Sequence, residues 1–161
     1  MDYLWSPWRY RYLTAPKEPE GCVFCRIAAS PLDEENLVVH RAGHNFVVLN
    51  RYPYTSGHVM VVPYGHISEL SALQDAVADE MMALMRLSER IIRTTYRPEG
   101  LNLGMNLGES AGAGIAGHIH MHVLPRWHGD ANFMTTIGET RILPEDLGAT
   151  WRRLRDAFAA S

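Results

Sequence analysis

Hydrophobic positions change their period along this chain, and those changes divide it into elements. Three short runs, 37–40, 46–49 and Val59–Pro63, are rich in β-branched or aromatic residues and separated by Gly, Asn or Pro, as strands are. From Asp75 to Tyr96 the spacing becomes three and four. Val77, Met81, Leu84, Met85, Leu87, Ile91 and Ile92 would line one face of a long helix. Its methionines read as a core stripe rather than a ligand set. Ser71 and Gln74 form a candidate start box, and Pro98 with Gly100 ends the segment. Residues 101–107 read as another strand and 108–117 as a glycine-rich loop. Residues 118–124 alternate as a strand that Pro125 stops, and a short closing helix is expected over 144–160. Residues 1–21, rich in Trp, Tyr, Arg and Pro without a period, read as an arm that packs on the domain or on a second subunit. No internal repeat or linker interrupts residues 22–161, which are expected to form one domain.

Composition supports this picture and limits the function. A chain of 161 residues with 47% apolar and 20% charged residues is ordinary globular material. The net charge of −3 provides no general field for nucleic acid or an anionic membrane. A small anionic substrate therefore needs a local, donor-rich site. Arg9 and Arg11 stand among aromatics that could stack on bases, but Asp2, Glu18 and Glu20 dilute that charge and packing is the better reading. The longest apolar runs fall far short of the ~20 residues that span a bilayer. The start of the chain lacks a basic segment followed by an apolar one, so no signal peptide is expected and a cytoplasmic location follows by default.

Eight histidines are unusual, and three of them carry the chemistry. His118, His120 and His122 alternate with Ile119, Met121 and Val123. In a strand, residues two apart share a face, so three imidazoles line one side while apolar groups enter the core. A helix would scatter them, successive rings standing about 200° apart. A merely solvated face would more naturally carry Thr, Lys or Glu. Two chemistries fit the row: three rings holding a catalytic metal with an open position, or a middle ring that attacks phosphorus while its neighbours position the phosphate. His40, His44 and His128 read as ordinary loop or edge residues.

Two further motifs are ambiguous alone. Cys22 and Cys25 are half of a zinc site, with a thioredoxin-type redox pair as rival; the rival wants a βαβ setting that the neighbouring residues do not supply. Gly112, Gly114 and Gly117 satisfy the dinucleotide-binding glycine pattern, yet they run into the histidine strand instead of opening a helix. The loop either turns backbone N–H groups towards phosphate oxygens or serves as a plain connection.

The run His118-Ile-His-Met-His-Val-Leu-Pro125 resembles the defining motif of the histidine-triad superfamily of nucleotide hydrolases and transferases. The segment from Leu49 through Gly57 and His58 to Pro63 resembles that family's second signature, and the likeness runs from about Gly21 to Phe133. The continuation Pro125-Arg126-Trp127 leans towards the branch that handles dinucleoside polyphosphates. The resemblance implies that His120 is a nucleophile forming a nucleotidyl-histidine, that His122 and His58 contact phosphate oxygens, and that Asn50 holds ribose hydroxyls. Asn106, and backbone donors at Gly112 and Gly114, would face the phosphates. It further implies a structural zinc held by Cys22, Cys25, His66 and His118, no organic cofactor, and a homodimer. Elements and resemblance together imply an α+β fold: an antiparallel sheet of about five strands, one long helix across it and a C-terminal helix.

The chain departs from the family at Ala113-Gly114-Ile115, where relatives usually carry Ser, Thr or Gln; Ser110 could substitute only if the loop folds back. This apolar stretch has no side chain to orient a water, which favours inorganic phosphate as the acceptor. The expected function is phosphorolysis or hydrolysis of a dinucleoside polyphosphate such as diadenosine tetraphosphate. A purine nucleoside phosphoramidate hydrolase is the alternative within the family. A metal-dependent hydrolase using the row as ligands, or a nucleotide-binding module without turnover, are alternatives outside it.

Overall fold

In the computed structural model, which describes residues 21–130 and 145–161, the alternating and β-branched runs form five strands. These are β1 (Val38–Arg41), β2 (Asn45–Leu49), β3 (Val59–Pro63), β4 (Gly100–Gly104) and β5 (Met121–Arg126). They make one sheet in the order β1-β2-β3-β5-β4, and every neighbouring pair is antiparallel. The α-helices of the described residues are α1 (Val23–Ala29), α2 (Asp33–Asn36), α3 (Asp75–Tyr96) and α4 (Leu147–Ala159). The architecture is the α+β one expected. Of the arm read at residues 1–21, only Gly21 lies within the described residues; Pro144, the expected start of the closing helix, also lies outside them.

Every residue of β2 and β3 is buried, as befits central strands covered on both faces. Met81, Leu84, Met85, Ile91 and Ile92 of α3 close over them, while Val77 and Leu87 are only half-buried and Ser88 takes a buried place in the stripe. Phe24 of α1 and Leu154 and Phe158 of α4 join the same core. Arg41 anchors α1 to the sheet: its guanidinium donates to the Ile27, Ala28 and Ser30 carbonyls at the end of α1 and to the Asp33 carboxylate. Glu80 of α3 accepts the backbone N–H groups of Gly43, His44 and Asn45, and so fastens the β1–β2 turn to the helix.

Three expected boundaries differ. The start box does not form: Ser71 lies in a single turn, Leu70–Ala72, and Gln74 caps α3 with no side-chain bond. β4 stops at Gly104, opposite His122, because the chain before β5 is engaged elsewhere, the Ile119 N–H donating to the Ile67 carbonyl. Pro125 does not stop β5. It pairs with Leu101 of β4, while its carbonyl accepts the Thr55 hydroxyl on the side where β3 has ended. In an extended strand a residue's N and C=O point the same way, so the missing N–H falls on that unpaired side and costs no ladder bond.

Candidate functional site

The histidine row begins just before β5 and runs into it. His118 and His120 precede the strand and are buried, while His122 lies within it, half-buried. The apolar half of the alternation holds across the strand boundary, where Ile119 and Val123 enter the core. The His120 and His122 ring centres are 4.9 Å apart, and Phe24 fills the space between His118 and His120, 5.4 Å from the first and 5.0 Å from the second.

Hydrogen bonds determine what each ring can do. His120 Nδ1 lies 2.9 Å from the His118 carbonyl oxygen. A carbonyl only accepts, so Nδ1 carries the proton and Nε2 keeps a bare lone pair. Burial pushes His120 below the ordinary imidazole value, the bond to the carbonyl opposing that only in part. The ring therefore stays neutral at neutral pH, with the unprotonated Nε2 that a nucleophile requires. His122 Nδ1 lies 2.9 Å from His58 Nε2, and burial, with the neighbouring His120 next, holds His122 down at about 4. Across β4 the residue opposite His122 is the exposed Gly104, so no side chain covers the imidazole from that strand.

His58 enters from the turn before β3. Gly57 precedes it with φ of +81°, and a Cβ there would stand 3.0 Å from the Tyr96 ring, so only glycine suits this corner. His58 is 1% exposed and is sealed inside the protein. Its Nδ1 receives the Tyr54 N–H at 3.2 Å and faces the Asn50 amide nitrogen at 3.3 Å. The Asn50 side-chain oxygen in turn accepts the Tyr52 N–H. Gly112 adopts a left-handed conformation and gives its N–H to the Glu109 carbonyl, so it shapes the loop, whereas Gly114 lies exposed on it. Asn106 lies past the end of β4, in the loop rather than on the strand.

At the other end of the row, Cys22, Cys25, His66 and His118 place four ligand atoms within 4.8 Å of one another. His118 Nδ1 is 3.3 Å from Cys22 Sγ and 3.7 Å from Cys25 Sγ, and Cys25 Sγ is 3.4 Å from His66 Nδ1. Bonds of about 2.0–2.3 Å to one tetrahedral zinc place ligands roughly 3.3–3.8 Å apart, so these edges fit. His118 Nε2 lies 2.9 Å from the Pro63 carbonyl, which leaves Nδ1 bare and aimed at the sulfurs, the tautomer a metal ligand requires. The three rings of the row send their Nδ1 atoms to three different partners. Among the described residues the ligands that converge are this Cys₂His₂ set, not the row.

Sequence reasoning missed Phe24, Arg41 and Tyr54. Phe24 sits inside the Cys22–Cys25 motif, which is a usable signal for packing near the row. Arg41 and Tyr54 act through a helix end and a backbone N–H, which leave no residue-type signature. A hollow of about 700 Å³ opens beside residues 68–71, Leu107, Gly108 and Ala116, and no histidine lines it.

Known proteins resemble this chain in sequence and fold. The profile of the HIT domain matches residues 33–129. AP-4-A phosphorylase of Mycobacterium tuberculosis is 44% identical over 172 aligned residues, spanning 99% of this chain and 85% of that protein. Protein hit of Bacillus subtilis is 33% identical, covering 80% of this chain and 88% of that one. A Zn-bound histidine triad family protein from Mycobacterium smegmatis superposes with a TM-score of 0.70 at 29% identity, over 87% of this chain and 94% of its own.

Proposed function

This chain belongs to the HIT domain family and is an enzyme of it, and we propose that it splits dinucleoside polyphosphates by nucleotidyl transfer through His120. The observation that carries the reading is the bond from His120 Nδ1 to the His118 carbonyl, which leaves the buried Nε2 as a lone pair beside His122. In the first step Nε2 attacks an α-phosphorus in line, an N–P bond forms, and the P–O bond to the departing nucleotide breaks. His122 Nε2–H stabilises the charge that gathers on the leaving oxygen. In the second step an acceptor oxygen attacks the same phosphorus and His120 is regenerated. The resemblance to a phosphorylase, and the apolar stretch Ala113-Gly114-Ile115, support inorganic phosphate over water as that acceptor. Asn50, Asn106 and the exposed backbone of Gly114 are the groups we assign to ribose and phosphate.

Cys22, Cys25, His66 and His118 fit zinc, and we assign them that ion. When bound, it would supply structure rather than Lewis acidity, because four protein ligands close the coordination shell. We read 22–161 as one domain; among the described residues, α1 and α4 lie outside the family match but in the same core. Pairing into a homodimer and residence in the cytoplasm belong to the same reading; no helix of the described residues is long and apolar enough to cross a membrane.

The test is product analysis with diadenosine tetraphosphate. Phosphorolysis yields ADP and ATP. AMP and ATP at millimolar phosphate would replace the phosphorylase with a hydrolase. No turnover of the polyphosphate, with fast cleavage of an adenosine phosphoramidate, would overturn both.

A further inference from the structure

Of the three histidines at the reacting part of the site, His58, His120 and His122, His58 is the most deeply buried. It is 1% exposed, and both of its ring nitrogens are already engaged inside the protein. From this we propose that His58 is a positioning residue. Held with a bare Nδ1 by the turn at 50–54, it donates Nε2–H to His122 Nδ1 and thereby fixes on His122 the tautomer that carries its proton on Nε2.

The direction of this relay follows from donors that cannot be reversed. The Tyr54 N–H is a backbone group and can only donate, and it points at His58 Nδ1 from 3.2 Å. The Asn50 amide nitrogen faces the same atom at 3.3 Å. Asn50 cannot be turned over, because its oxygen accepts the Tyr52 N–H at 3.0 Å; the flipped amide would set N–H against N–H. Two donors on Nδ1 exclude a proton there, so the proton of His58 lies on Nε2. The 2.9 Å contact to His122 needs one proton between two nitrogens, and His58 Nε2 supplies it. His122 Nδ1 is then an acceptor, and the proton of the neutral His122 ring lies on Nε2.

The opposite tautomer would present a lone pair to the phosphates at that position. It would repel their oxygens and hold no proton for the leaving group. Two backbone N–H groups of one turn, at Tyr52 and Tyr54, thus decide the chemistry of a ring on another strand. The turn is itself fastened to β5, the Thr55 hydroxyl donating to the Pro125 carbonyl. This inference rests on the reading of His120 and His122 as the reacting pair, but its main readout needs no substrate.

Nitrogen NMR of the free protein, with ¹⁵N-labelled histidine, tests it directly. The expected result is a protonated Nε2 and an unprotonated Nδ1 on His122, with the same pattern on His58. A His122 that carries its proton on Nδ1 in the wild type overturns the proposal, whatever the activity proves to be. His58→Gln and His58→Leu supply the functional arm. The glutamine amide nitrogen is as many bonds from Cα as His58 Nε2 and keeps a donor to His122, whereas leucine keeps volume and removes it. His58→Leu should lower kcat roughly 10²-fold, the scale of a lost acid, with KM within about threefold. His58→Gln should stay within about tenfold of wild type. Equal losses in the two folded variants, or full activity in His58→Leu, overturn the proposal. Should no nucleotide be turned over by any form, the assignment of reaction falls while the NMR pattern still decides the relay.

Discussion

The two ends of the His118–His120 pair within one histidine row are built from the same residue type, yet they are prepared for opposite tasks. At His118 both ring nitrogens are occupied, Nε2 by the Pro63 carbonyl and Nδ1 by the Cys22 and Cys25 sulfurs. At His120 Nδ1 is bound to the His118 carbonyl, and among the described residues no hydrogen-bond partner meets Nε2. The difference lies not in burial, since the rings are 0% and 5% exposed, but in the number of partners within reach. A ring with every nitrogen satisfied suits a structural ligand; a ring with one nitrogen held and one bare suits the nucleophile we propose. The two ends are nevertheless joined, because His118 lends its backbone carbonyl to orient His120 and Phe24 packs against both rings.

The largest effect should come at the reactive end. His120→Ala is expected to lower turnover by at least roughly 10⁴-fold while nucleotide affinity, measured by calorimetry, stays within about tenfold. A variant that keeps even a tenth of wild-type activity would move the nucleophile elsewhere.

Phe24→Ala attacks the joint between the ends. Removing a ring that is 2% exposed should cost about 3–5 kcal/mol in chemical denaturation and also lower kcat, since the wall behind His120 is lost. An unchanged kcat in the surviving folded fraction would mean that the carbonyl of His118 alone holds the nucleophile.

Cys22→Ser probes the structural end. Elemental analysis should find about one zinc per wild-type chain and a loss of metal in the variant. Melting should fall by about 10 °C, the shift that roughly 3 kcal/mol produces in a domain of this size. The folded variant should remain catalytically competent. Wild-type protein purified without chelators and free of zinc would remove the ion from this account. A metal-stripped protein that stays folded, stops turning over and recovers on metal addition would restore a metal-dependent mechanism.

The smallest effect is on stability against pH. His122 in the folded protein titrates at about 4, below the ordinary imidazole value that the unfolded chain retains. Between these values the unfolded state binds the extra proton, so stability is full above about pH 6.5 and falls as the pH drops towards 4. The ring is open to solvent at one side, which reduces the cost. A melting temperature lower by roughly 3 °C at pH 5 than at pH 7 is expected, with a shallower slope in His122→Gln. Identical slopes would show that His122 is not the titrating group.

Much of the fold was legible because period and burial agree: the alternating runs became strands, and the three-and-four spacing of 75–96 became α3. Boundaries failed where a distant partner overrode a local signal. Pro125 reads as a stop, yet it lies within β5 because β3 ends before reaching it. Residues 101–107 read as a full strand, but β4 loses its partner after Gly104. The role of His58 could not be read at all from residue types, since any residue but proline at 54 supplies the N–H that orients it.

By itself the sequence determined that His118, His120 and His122 share one face, because an extended backbone repeats every two residues whatever surrounds it. It also determined the ligand types available to a metal, since two thiols and two imidazoles are a matter of composition. Only the tertiary structure decided which ring nitrogens are bare. A neutral imidazole places its single proton according to the partners it meets. Here those partners come from α1, the end of β3 and the turn at 50–54, segments that only folding brings to the row.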